Sequence, residues 1–291
     1  MQTPDAVKRR LDTFEDLRSV VRTMKALAAV SLRQYEEAVA SLGEYTRMVD
    51  LGLQVLLRER PAAIAGQGGR PTRRHAAIVF GSDQGLCGSF NDQITAFVVE
   101  AIGAPGAPDG PRLAVGARVA GRLEEAGRPA ATVLAMPASA PLITPLVQEL
   151  LAWVDARRAA GECDGVDLYF NRPQGGAAFR PHHAPLLPLD RARLRALAAR
   201  PWPSRSRPAF RTDWHVLFAA CVREHLFVTL HRAVAESLVS ENASRLAAMH
   251  AAERNIDERL GALRTEFHLQ RQTAITTELL DIVSGFEVLS S

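Results

Sequence analysis

Two stretches of the chain carry residue types whose spacing could support chemistry. The first, GSDQGLCGSFND at 81–92, follows the apolar run HAAIVF (75–80) and leads into a segment with helical spacing. A glycine-bearing turn between a strand and a helix is where α/β proteins hold phosphate groups, on free N–H groups at the positive end of the helix dipole. Gly81, Gly85 and Gly88 do not match GxGxxG, and no GK[ST] ending is present, so the nucleotide fingerprints fail. The glycines instead predict a tight turn with left-handed backbone. Cys87 in this turn could be a nucleophile, since a thiol near a helix N-terminus has its pKa lowered; His75, His182 or His183 would have to approach it in space. The second stretch, FRPHHAPLLPLD (179–190), sets His182 beside His183. With Cys163 they could suggest a metal, but neighbours on a strand point to opposite faces and would not share one ion. No GxSxG elbow occurs, so no serine nucleophile is indicated. The residues point to no cofactor and no metal, and the one catalytic alternative they leave is an α/β enzyme using Cys87 whose helices merely oligomerise it.

The elements that must position these residues fall into three segments: 1–60, 75–190 and 213–291. Residues 5–60 and 213–291 contain no proline, and the latter only two glycines, Gly261 and Gly285. Each predicts a long helix. In the first, Val7, Phe14, Val21, Ala28, Tyr35, Leu42, Val49 and Leu56 recur at strict seven-residue spacing. Leu11, Leu32, Val39 and Leu53 fill a companion seam, which Arg18, Lys25 and Thr46 interrupt. A heptad pattern sustained this long argues for coiled-coil packing, along a rod of roughly 80 Å at the α-helical rise. In the last segment Met249, Ile256, Leu260, Leu263 and Phe267 form one stripe, and Ile275, Leu279, Ile282, Phe286 and Leu289 a second, offset by about one residue. An apolar stripe at a chain end needs a partner's socket, because free ends fray. The middle alternates strand and helix: strands at 75–80, 112–117, 131–136 and 166–172, helices at 91–102, 117–127 and 145–160, and an edge strand at 182–190. That alternation predicts a Rossmann-like α/β layer with a largely parallel sheet. Residues 58–74 and 191–212, rich in Arg, Pro and Gly, read as linkers. The fold expected is an antiparallel two-helix coiled coil of the N- and C-terminal helices plus a central α/β domain.

Composition bounds the function. Of 291 residues 47% are hydrophobic and 23% charged, which is globular rather than disordered. A net charge of +3 is too balanced to indicate nucleic acid. Lys8 and Lys25 are the only lysines. Three well-separated cysteines fit neither a disulfide framework nor a zinc site. The opening MQTPDAVKRRLDTFEDL has no apolar core of the kind a secretory signal needs. No stretch approaches the ~20 apolar residues needed to cross a bilayer, so any membrane association is expected to run through another protein or a surface.

Three motifs in this layout resemble the gamma subunit of rotary ATP synthases of the F type. The closing block SENASRLAAMHAAERNIDERLGALRTEFHLQRQTAITTELLDIVSGFEVL (240–289) is similar to the family's C-terminal signature at Arg271, Gln272, Ala274, Ile275, Thr276, Glu278, Leu279, Ile282, Val283, Ser284 and Gly285. SDQGLCGSFN (82–91) resembles the family's SDRGLCGGFN, departing at Gln84 and Ser89, and TMKALAAVSLRQ (23–34) resembles AMKMVAAAKLRR, keeping Met24, Lys25, Ala28, Ala29, Leu32 and Arg33. The resemblance implies a non-catalytic rotor shaft held within a hexamer of alpha and beta subunits. It stands on the c-subunit ring beside the epsilon subunit, peripheral to a bacterial inner membrane on its cytoplasmic side. It implies that Ile275, Leu279, Ile282, Phe286 and Leu289 sit in an apolar bearing, that Arg271 and Gln272 donate to the beta subunit, that Lys25 and Arg33 face acidic beta loops, and that Met24 is a further partner-binding residue. Phe267, His268 and Leu269 replace the family's usual Tyr-Asn-Lys, and Ser31 and Gln34 replace cations. Such departures extend the resemblance to divergent, alternate F-type ATPases. The remaining alternative is a free-standing coiled-coil scaffold.

Overall fold

The heptad pattern appears directly as burial. In the computed structural model, which describes residues 4–61, 74–103, 110–206 and 208–289 (the side chains of 4, 281 and 284–289 lie outside that description), all eight positions from Val7 to Leu56 are buried or half-buried. They lie on one uninterrupted helix, α1 (Pro4–Glu59). Arg18, Lys25 and Thr46 in the companion seam are also half-buried: the two long side chains lay their stems along the apolar seam and keep their heads at its rim, and Thr46 donates its hydroxyl to the Leu42 carbonyl at 2.7 Å.

The described elements then run β1 (His75–Phe80), α2 (Phe90–Gly103), β2 (Arg112–Val115), α3 (Ala117–Glu125), β3 (Thr132–Leu134), a 3-10 turn (Ala140–Leu142), α4 (Ile143–Ala159), β4 (Gly165–Gly175), β5 (Ala178–Leu187), α5 (Arg191–Ala199) and α6 (Trp214–Leu289). Asp213 starts α6: its Oδ1 accepts the N–H groups of His215 at 2.8 Å and Val216 at 3.2 Å. Two free donors of the first turn are thereby satisfied, as an N-cap requires. The same bonds hold the Asp213 carboxyl below its ordinary range. No described helix is long and apolar enough to cross a membrane.

The chain forms two compact units: Met1–Ala28 with Leu246–Ser291, and Ala29–Arg245. In the first, ion pairs run in opposite order along the two helices. Glu15 meets Arg264 at 2.9 Å, Arg18 meets Asp257 at 3.3 Å, and Arg22 meets Glu253 at 2.8 Å, with Lys25 on the same carboxylate. Rising numbers on α1 against falling numbers on α6 make the pair antiparallel. Val7, Ala28, Met249, Leu260 and Leu263 are buried, and Ile256 and Phe267 half-buried, so the first C-terminal stripe is core.

The second unit holds a five-stranded sheet ordered β3-β2-β1-β4-β5. β1 pairs in parallel with β2 and β4, β2 with β3, and β5 closes one edge antiparallel to β4. Alternate residues serve opposite faces. Ile78, Phe80, Leu113, Val115, Leu168 and Phe170 face a core completed by Val147 and Leu150 of α4, Leu230, Val234 and Leu238 of α6, and Tyr35 of α1. Ala77, Val79, Ala114 and Tyr169 face Ile94 and Val98 of α2 and Val119 and Leu123 of α3.

Two sequence expectations need correction. β2 and β3 end earlier than the apolar runs suggest, while β4 and β5 form a longer hairpin. The stretch 191–212 is not all linker: α5 occupies its first part. Asp190 caps that helix, accepting from the N–H of Ala192 at 2.8 Å. Leu194 and Leu197, three residues apart on one face, pack with Leu53 and Leu57; arginines around that pair disguised its amphipathic character. Of the stretch 58–74, residues 62–73 lie outside the described residues.

Candidate functional site

Strand order reverses between β1 and β4. In doubly wound sheets the crevice beyond the carboxyl ends of such a strand pair is where ligands bind. Here the chain fills that crevice with its own helix. Ser240 Oγ donates to the carbonyl of Asn171 on β4 at 2.9 Å, Ser244 Oγ donates to the carbonyl of Cys87 at 2.7 Å, and Arg245 Nη2 reaches the carbonyl of Gln84 at 3.4 Å. The run Ser240, Glu241, Asn242, Ala243, Ser244 and Arg245 is buried throughout.

The loop after β1 spends its polar groups internally. Ser82 N–H donates to Asn91 Oδ1 at 3.0 Å, Asn91 Nδ2 returns a bond to Ser82 Oγ at 2.8 Å, and Ser82 Oγ donates to the Gln84 carbonyl at 2.9 Å. Asp83 accepts the backbone N–H of Ala117 at 2.8 Å and of Met136 at 2.7 Å, tying the loop to the starts of α3 and the segment after β3. The expected left-handed turn is present, at Leu86 (φ 61°) and Gly88 (φ 58°). Gly88 takes a left-handed backbone that side-chain-bearing residues rarely adopt, and a Cβ there would sit in van der Waals contact with Ser244 Oγ at 3.4 Å. Gly116 has φ 114° and brings its backbone against Ser82, where a Cβ would meet main-chain atoms at 2.8 Å.

The nucleophile reading of Cys87 is overturned here. The thiol is buried, and desolvation pushes its pKa up rather than down. Its sulfur neighbours Asn91 Nδ2 at 3.5 Å, Ser82 Oγ at 3.6 Å and the Gln84 carbonyl at 3.8 Å. The candidate histidines are engaged elsewhere. His75 Nδ1 lies 2.5 Å and His183 Nε2 2.9 Å from the two oxygens of Asp167, while His182 packs edge-on to Phe170 at 5.2 Å. These hydrogen bonds hold the Asp167 carboxyl below its usual range against the opposing effect of burial, which is the largest single influence on it. His182 and His183 do not converge, and the described residues contain no cluster of three or more metal-ligating side chains.

One feature of the crevice escaped sequence reading. Glu241 and Arg245 form an ion pair at 2.7 Å with side-chain exposures of 8% and 10%. Burial pushes the Glu241 carboxyl up to about 7 despite the guanidinium. SENASR reads as a solvated helical stretch. Its signal was a patch with polar residues at nearly every angle of a helix, set between apolar runs, which fits a buried polar seam as well as a wet face.

The expected contact residues are all on the first unit except Arg33. Met24 is half-buried, Arg33 is exposed, and Lys25 is half-buried on Glu253. An outside carboxylate must compete with Glu253 for Lys25. Lys25 and Arg22 together pull the Glu253 carboxyl down to about 2. Arg271 and Gln272 are exposed. Ile275, Leu279 and Ile282 are 47%, 58% and 67% exposed, and Leu280 and Val283 add 63% and 55%. The side chains of Phe286 and Leu289 lie outside the described residues. Leu17, Val20 and Leu27 on α1 are also exposed, between 47% and 63%. This unit thus shows water a concentration of large apolar side chains that marks an interaction surface.

Known proteins share this plan. A family model described as ATP synthase matches residues 3–289. The chain is similar to the ATP synthase gamma chain of Anaeromyxobacter dehalogenans (strain 2CP-C), 28% identical over 298 residues covering 97% of this chain and 98% of that one. It is similar also to the ATP synthase gamma chain of Zymomonas mobilis, 26% identical over 303 residues covering 99% and 100%. Among solved structures, the rotor of the Euglena gracilis mitochondrial ATP synthase superposes with a TM-score of 0.64 at 15% identity, covering 94% of this chain and 98% of that one. The central stalk and c-ring structure of the Tetrahymena thermophila mitochondrial enzyme gives 0.60 at 20% identity, covering 80% and 99%. The scaffold unrelated to ATPases is thereby excluded, and with a match along almost its entire length the chain belongs to the ATP synthase gamma-chain family.

Proposed function

We propose that this chain is the central rotor shaft of an F-type ATP synthase, coupling ion flow through a membrane ring to ATP synthesis or hydrolysis in an alpha–beta hexamer, and that it catalyses nothing itself. The observation that carries this reading is the apolar surface at Ile275, Leu279, Leu280, Ile282 and Val283, exposed on an antiparallel, ion-paired helix unit. A helix end of this kind is stable in water only with a socket around it. The crevice where an enzyme of this sheet type would bind a nucleotide is filled by Ser240–Arg245, which favours a mechanical over a chemical role.

In this reading the terminal helical segments, 1–60 and 213–291, form the shaft and 75–190 the domain set on it. The partners are the alpha and beta subunits around the apolar tip, the epsilon subunit and the c-subunit ring, on the cytoplasmic side of a bacterial inner membrane. Arg271 and Gln272 donate to the beta subunit, and charge-assisted bonds at such an interface are worth about 1.5–3 kcal/mol each. Met24, Lys25 and Arg33 line the approach to beta, and Ile275, Leu279, Ile282, Phe286 and Leu289 fill the bearing. An asymmetric shaft presents a different face to each beta subunit as it turns. Each face favours one nucleotide-site conformation only through its differential contacts with the two states.

Reconstitution of the whole complex, with the cognate alpha, beta and epsilon subunits and the membrane ring in sealed vesicles, tests this. The full chain is expected to co-purify with them, and the double variant Arg271→Ala/Gln272→Ala to assemble but lose coupled ATPase activity. Unchanged synthesis and hydrolysis in that variant would remove both residues from the interface.

A further inference from the structure

Within the α/β unit, the last turns of α1 and the segment between α5 and α6 border a cleft of about 360 Å³. Val55, Arg58 and Glu59 line it from α1, and Trp202, Pro208 and Phe210 from the segment. Hydrogen bonds fix these walls. Arg58 Nε donates to the carbonyl of Ala198 at 2.8 Å, and Arg58 Nη2 and Gln54 Nε2 both donate to that of Arg200, Gln54 at 2.6 Å. Carbonyls at the end of α5 are thereby satisfied, and the chain that follows is tied to α1. Trp202 Nε1 donates to the Ser206 carbonyl at 2.8 Å, so the polar atom of the indole is spent within the segment. Pro201, Pro203 and Pro208 restrict its backbone. The volume is that of a small-molecule site, for which ~300–1,000 Å³ is usual. Its lining joins three chemistries: the aromatic rings of Trp202 and Phe210, the exposed carboxylate of Glu59, and the guanidinium of Arg58, with Arg205 and Arg211 exposed on the same segment. Aromatic faces stack on flat heterocycles, a carboxylate accepts from an amine or hydroxyl, and arginine forks match phosphate oxygens. An acyl chain would set hydrocarbon against the Glu59 carboxylate, and a lone phosphate would leave the aromatic walls unused.

We propose that this cleft binds a nucleoside phosphate. The base lies against Trp202 and Phe210, an amine or ribose hydroxyl donates to Glu59, and the phosphates take Arg58, Arg205 and Arg211. The site uses none of the residues of the filled sheet crevice, and the nucleotide is bound there without being altered. Binding of this kind belongs to the chain alone, so it stands or falls separately from the rotor reading.

The test is calorimetric titration of the full chain, purified without other subunits, with ADP, adenosine and inorganic phosphate in turn. ADP is expected to bind saturably, and adenosine and phosphate each about tenfold more weakly or worse. Trp202→Ala is expected to weaken ADP by about tenfold or more, and Trp202→Phe, which keeps an aromatic face, to retain most of the binding. Should Trp202→Ala fold poorly, Arg205→Ala/Arg211→Ala decides, since both side chains are exposed: ADP should bind more weakly and respond less to added salt. A photoreactive azido analogue of ADP should label 55–59 or 202–211. No saturable ADP binding, phosphate binding as tightly as ADP, or unchanged affinity in the double arginine variant would overturn the site. Binding to vesicles of anionic phospholipid that depends on Trp202, with none of ADP, would give the cleft to lipid and equally overturn it.

Discussion

Glu253 and Glu241 sit on the same helix, each beside arginine, and behave oppositely. Glu253, in the two-helix unit, accepts from both Lys25 and Arg22 at the rim of the seam, and its carboxyl is pulled down to about 2. Glu241, in the α/β unit, has one cation and an undonated oxygen, and its carboxyl is pushed up to about 7. The difference is solvation. At the rim, water and two donors stabilise the charge; in the crevice, desolvation exceeds what a single guanidinium returns. The two regions are therefore held by different means. One has an apolar seam trimmed with ion pairs and leaves its end open to a partner. The other closes on itself through buried polar contacts that occupy a ligand crevice.

The largest effect on this contrast should come from Arg245→Ala, which leaves Glu241 buried without its cation. Breaking a buried pair from one side costs about 3 kcal/mol or more, and urea unfolding of the full chain should show the loss in the α/β unit. Ser244→Ala should cost about 1 kcal/mol, because the Cys87 carbonyl then loses its short bond from the hydroxyl and keeps only the longer one from the Phe90 N–H at 3.3 Å. Next comes pH. Glu253 titrates below its unfolded value, so its contribution is present above about 4.3 and is lost as pH falls towards about 2. Glu241 titrates above its unfolded value, so its strain is relieved as pH falls from about 7 to about 4.3. Thermal melts should show Glu241→Gln flattening the upper window and Glu253→Gln the lower one; the reverse assignment would refute the comparison. The smallest effect is that of Glu253→Ala at neutral pH, a modest loss that shrinks further with added salt, since rim pairs are screened.

Much of this architecture was legible in the residues, and the reasons are particular. Val7 to Leu56 at seven-residue spacing map one to one onto buried or half-buried positions, because a heptad repeat commits a whole helix face. The alternation of apolar strands and helices predicted the sheet, and the prolines of 182–190, Pro185 and Pro188, correctly consigned the last strand to an edge. Leu194 and Leu197 were missed because two leucines among arginines carry too little periodic signal. Glu241 and Arg245 were missed for a different reason: spacing shows that they face each other, but only tertiary placement shows that the face is dry. Lys25 lay between. Its place on the seam was visible, but its carboxylate partner is far away in sequence and could be identified only by the pairing of the two helices.

The proposed role requires the shaft to turn within a collar of other subunits. ATP-driven rotation of a bead fixed to the α/β domain of this chain, assembled with its cognate alpha and beta subunits, tests that directly. Stepwise rotation in one direction that stops when ATP is removed is the expected result. A complex that hydrolyses ATP while this chain stays still would contradict it.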